Sequence, residues 1–111
     1  MSDQVKDQVL HIINTLNNGF DGYMEENEYG ETQTAFNYLE DVMDIHWILN
    51  SDKSVRGARL LVAFGGPNIW IDTNLGQVEG YWWGDKHIAS YDTSSEFARD
   101  LDQCLEELFS C

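Results

Sequence analysis

Val5, Val9, Ile12, Ile13 and Leu16 recur at the three- and four-residue spacing of one helical face, which predicts a helix over residues 3–18. Ser2 or Asp3 can cap its start, and Asn17-Asn18-Gly19 supplies a stop. Phe20 to Glu31 is acidic and punctuated by glycine, which fits either a short helix or a loop. Thr34 is placed to cap a second helical segment reaching about Met43, with Phe36, Leu39 and Val42 or Met43 on its buried side.

After Asp44 the period changes to two. Ile45, Trp47 and Leu49 alternate with His46 and Ile48, the pattern of a strand. Asn50 to Lys53 carries turn chemistry, and residues 55–64 (VRGARLLVAF) form a longer strand, apolar on both faces at its end and therefore central. Gly65-Gly66-Pro67-Asn68 turns the chain, with Gly66 held extended by the proline after it. The next strand, 68–73, sets Ile69, Ile71 and Thr73 on one face and Trp70 and Asp72 on the other. Asn74-Leu75-Gly76 suits a hairpin loop with Gly76 left-handed, and 77–83 (QVEGYWW) returns, with Gly80 marking a close neighbour or a bulge. A short strand around His87 to Tyr91 follows. Thr93 and Glu96 stand at capping-box spacing before a helix whose buried stripe is Phe97, Leu101, Leu105 and Leu108. The expected fold is α+β: an antiparallel meander of four or five strands, with the N-terminal helices and the C-terminal helix packed on one face, as a single domain over 1–111.

The composition agrees with a folded chain. Of 111 residues, 42% are hydrophobic and 13% aromatic, enough to build one core. The net charge of −14, from 20 acidic against 6 basic residues, disfavours direct binding to DNA, RNA or anionic lipid. MSDQVKDQV at the N-terminus lacks the basic and apolar parts of a leader, and no apolar run approaches the ~20 residues that span a bilayer; a cytosolic protein is expected. Cys104 and Cys111 lie seven residues apart, two helical turns, and are expected to remain free thiols.

Charge is distributed unevenly. Between Lys6 and Lys53 lie 46 residues with ten carboxylates and no Lys or Arg. Asp21, Glu25, Glu26, Glu28 and Glu31 cluster first, and Glu40, Asp41 and Asp44 follow. Such a run forms either a solvated face or a mimic of a nucleic-acid backbone, whose duplex form carries one charge per ~1.7 Å. The second candidate region is GGPNIWIDTNLGQVEGYWWGD, residues 65–85, which is either a hairpin packed on the helices or a recognition surface anchored by Trp70, Trp82 and Trp83.

Catalytic patterns are weak. His46 and His87 could meet across the sheet with Asp72 or Asp85, and His11 sits on the first helix, but no HxH, HExxH or CxxC spacing is present. Ser90, Ser94 and Ser95 lack a nucleophile-elbow context, and Cys104 falls mid-helix. No catalytic residue, metal ligand or cofactor is assigned. The chain reads as a binding protein, not an enzyme.

The stretch from Ala35 to Asp85, above all RGARLLVAFGGPNIWIDT followed by GQVEGYWWGD, resembles a group of small uncharacterised proteins of bacteriophages and prophages. That resemblance implies an accessory role in a bacterial host cytoplasm. By type, a small acidic phage protein resembles anti-CRISPR and anti-restriction inhibitors, some of which mimic DNA. The expected partner is then the basic groove of a host defence nuclease or CRISPR effector, contacted by the eight acids and three tryptophans named above. The rival expectation is an assembly adaptor, or a homodimer formed through a sheet edge or a tryptophan patch.

Overall fold

A computed structural model describes the backbone of residues 2–110 and the side chains of residues 4–110. The order is α1 (Ser2–Asn18), α2 (Ala35–Glu40), β1 (Asp44–Leu49), β2 (Val55–Ala63), β3 (Asn68–Asp72), β4 (Gln77–Trp82), β5 (Asp85–Ser90) and α3 (Glu96–Ser110). The strands form one antiparallel sheet in the order β1-β2-β3-β4-β5. Each strand thus pairs with its chain neighbour, as short connections require. The expected α+β architecture is present, with the fifth strand formed. The capping residues expected for α1, Ser2 and Asp3, and the second cysteine, Cys111, lie outside the described side chains.

The period-two pattern decides which face is covered. Ala58, Leu60, Ile69, Ile71 and Val78 are fully buried beneath Val5, Val9 and Leu16 of α1 and Phe97, Leu101 and Leu105 of α3. Gly80 lies in the same layer, and a Cβ there would stand 2.7 Å from Val9 and 2.8 Å from Val5. Its missing side chain is what lets α1 lie flat on β4. α3 reaches β2, and its C-terminal Phe109 meets Trp47 of β1 edge-on with centroids 5.1 Å apart.

The strands shift by one or two residues at their ends from the expected ranges, and two helix boundaries differ for a clear physical reason. α2 stops at Glu40, with Asp41 as its C-cap; Met43 already donates its N–H to the Leu61 carbonyl. A helix extended to Met43 would forfeit that first sheet bond. Ala35 and Leu39 are buried, whereas Phe36 is exposed. α3 is capped by Ser95, not by Thr93. The Ser95 hydroxyl accepts the Ala98 N–H at 3.1 Å and donates to the Leu16 carbonyl at 2.6 Å, which joins the start of α3 to the end of α1.

Candidate interaction surfaces

The acidic run after α1 is an ordered excursion. Met24 N–H donates to the Gln33 carbonyl, Gln33 N–H to Glu25, and Asn27 N–H to Glu31, which folds residues 23–33 back on themselves. Its base is aromatic: Phe20, Tyr23 and Tyr38 surround Phe97 with centroids 4.9 to 5.7 Å from it. Tyr23 also donates its hydroxyl to Asp100 of α3. Burial and this carboxylate hold the Tyr23 phenol above its usual range, and burial followed by Asp41 pushes Tyr38 up to about 12. Asp21, Glu25, Glu26, Glu28 and Glu31 are therefore exposed on a fixed platform.

That platform continues onto α3. Met24, Thr34, Asp100, Gln103, Cys104 and Glu107 line one hollow of about 210 Å³, which brings the loop against the acidic side of the C-terminal helix. Burial and then Glu107 push the Cys104 thiol up, so it is a packed group with little thiolate character. Glu40 and Asp41 are exposed at the end of α2. Among the described residues, none of Asp21, Glu25, Glu26, Glu28, Glu31, Glu40 and Asp41 forms an ion pair. Asp44 is separate: its carboxylate lies 2.9 Å from His46, and both belong to the helix-free face of the sheet. The chain as a whole is polarised. Residues 44–90 carry five acids against four bases, and the remainder carries fifteen against two.

The three tryptophans lie in three different environments. Trp70 is on the helix-free face, half-buried, with the Arg59 guanidinium 4.6 Å from its ring centroid and His46 at 4.9 Å. Arg59 pairs with Glu79 at 3.1 Å, and Tyr81 donates to the same Glu79 oxygen at 2.6 Å. The Glu79 carboxylate, with burial, raises the Tyr81 phenol. This ladder covers a face that receives no helix. Trp82 points to the other side and packs against the core. Trp83 is 87% exposed and sits in the two-residue β4–β5 turn at φ 52°, followed by Gly84 at φ 83°. Two positive φ values make the type I′ pattern, which favours Asn-Gly and strains a bulky residue. Nothing in its sequence neighbourhood marks that strain; the twin Trp82-Trp83 reads equally well as strand.

The histidines do not converge. His46 is on edge strand β1 and His87 on edge strand β5, with side chains on opposite faces by the observed registers. Asp72 is buried and accepts the Leu75 N–H at 2.9 Å, a turn-forming role. Among the described residues, no three His, Cys, Asp or Glu side chains come together as metal ligands, and no helix is long and apolar enough to cross a membrane. Comparison with protein-family models, with curated proteins and with solved structures finds no match.

Proposed function

We propose that this chain is a non-enzymatic binding module that docks its carboxylate-rich helical side on a basic protein surface of the kind that holds nucleic acid. The supporting observation is the acidic platform: exposed carboxylates of residues 21–31, held by paired backbone and an aromatic base, and without ion-pair partners among the described residues. Fixed negative groups approach a cationic groove at little ordering cost and release its counterions, as a phosphate backbone does. The same groups repel one another in the free protein, a cost that binding to a cationic partner relieves. In its specific form the module is an inhibitor of an anti-phage nuclease or CRISPR effector, a reading supported by the phage-like motif pair and the charge. A plaque assay in bacterial strains that each carry one defence system tests it. Expression of the chain should restore phage growth in one strain, and Glu→Gln changes at residues 25, 26, 28 and 31 should abolish the rescue. Full restriction in every strain counts against the inhibitor.

A second reading has its own support. Trp83 is exposed and strained at once, so it costs stability without contributing burial. An adaptor that contacts its partner through this aromatic end would explain the arrangement. Charge changes in residues 21–44 would then leave its activity intact, and Trp83 substitution would remove it.

A further inference from the structure

Trp83 does not stand alone. The β2–β3 loop and the β4–β5 turn share one end of the sheet, because Asn68 pairs with Tyr81 and Tyr81 with Lys86. Phe64, 69% exposed, projects from the first of these loops. At the foot of Trp83 lies an open hollow of about 510 Å³, lined by Gly66, Asn68, Tyr81, Gly84 and Lys86 as well as Trp83 itself. Gly66 and Gly84 leave its rim bare: a Cβ added at either meets nothing within 4 Å.

From this we infer that a second copy of the chain occupies this end, each protomer placing its Trp83 indole into the other's hollow. The inference deepens the second reading and is independent of the carboxylate platform. A two-fold contact joins one patch to a copy of itself, and this patch carries both a projection, Trp83, and a hollow beside it. Charge selects the same place. In a molecule of net charge −14, residues 64–68 and 81–86 hold one acid, Asp85, and one base, Lys86. Copies that meet here avoid the carboxylate–carboxylate repulsion that other faces would impose. Two Trp and two Phe side chains bury roughly 600–1,000 Å² in all, below the ~1,600 Å² of a standard stable interface. The dimer is therefore weak and reversible.

Sedimentation velocity of the full chain across a concentration series tests this. A reversible monomer–dimer equilibrium is expected, and Trp83→Asn should weaken it at least about tenfold. That variant restores the Asn-Gly preference of the turn, so it should fold at least as well as the parent. Gly66→Leu, which fills the recess and leaves the projection, should weaken the dimer as well. A chain that stays monomeric to millimolar concentration overturns the inference, as does a dimer that both variants leave unchanged. Glu→Gln changes at residues 25, 26, 28 and 31 should not dissociate the dimer, which separates failure here from failure of the carboxylate reading.

Discussion

Single residues decide how closely the helical layer meets the sheet. At Gly80 an added Cβ would stand 2.7 Å from Val9, 2.8 Å from Val5 and 3.0 Å from Ile69, and all three side chains are fully buried. They have little room to yield. Gly80→Ala should therefore destabilise the fold by about 1–3 kcal/mol in urea unfolding, with the midpoint shifted and the slope unchanged. The tyrosines make a second prediction. Burial raises the phenols of Tyr23, Tyr38 and Tyr91 above the ordinary value, in Tyr91 with help from Asp102 and Asp72. A raised phenol favours the folded state as long as it stays neutral. That contribution is complete below the unfolded value near 10 and is lost as pH rises through the folded values. Urea midpoints should hold steady to about pH 9 and fall above about pH 10. Tyrosinate absorbance should rise together with loss of structure; a midpoint flat to strongly alkaline pH would refute this.

At the scale of elements, the start of α3 carries more than a cap. The Ser95 hydroxyl accepts from Ala98 and donates to the Leu16 carbonyl, so one oxygen ends α1 and begins α3. Ser95→Ala should cost about 1–2 kcal/mol in chemical denaturation, whereas Thr93→Ala should cost the helix no cap. The residues here show what sequence pattern can and cannot carry. Alternation in NIWID sets Ile69 and Ile71 on one face and Trp70 on the other, because period two is a local property, and the structure buries the isoleucine face under the helices. Gly80 reads from sequence as either a close approach or a bulge, and the structure selects the first. The choice between Thr93 and Ser95 was not legible, because it is settled by the Leu16 carbonyl, 79 residues away in sequence. The fold of residues 20–34 was equally hidden. It depends on Tyr23 and Phe20 meeting Phe97 across the chain, and on Met24 adopting a φ of 64° that its type does not announce. The acidic character of the candidate site could be read directly; its attachment to α3 could not.

Across the whole molecule, negative charge and helices share one side, and a nearly neutral sheet forms the other. Fifteen acids against two bases outside residues 44–90 leave a field that, among the described residues, no ion pair of residues 21–31 offsets. Such a field acts beyond contact distance at low salt and shrinks within about 10 Å at about 0.1 M. The decisive measurement compares the parent chain with the variant carrying Glu→Gln at residues 25, 26, 28 and 31 as baits in bacterial lysate, at low and at high salt. Relief of self-repulsion should leave the variant as stable as the parent or slightly more so, so a lost interaction cannot be blamed on unfolding. The expected result is that the parent retains DNA- or RNA-handling proteins at low salt and releases them at high salt, and that the folded variant retains none. Retention of the same proteins by both baits, or of no nucleic-acid-handling protein by the parent, would contradict the carboxylate platform as the binding surface.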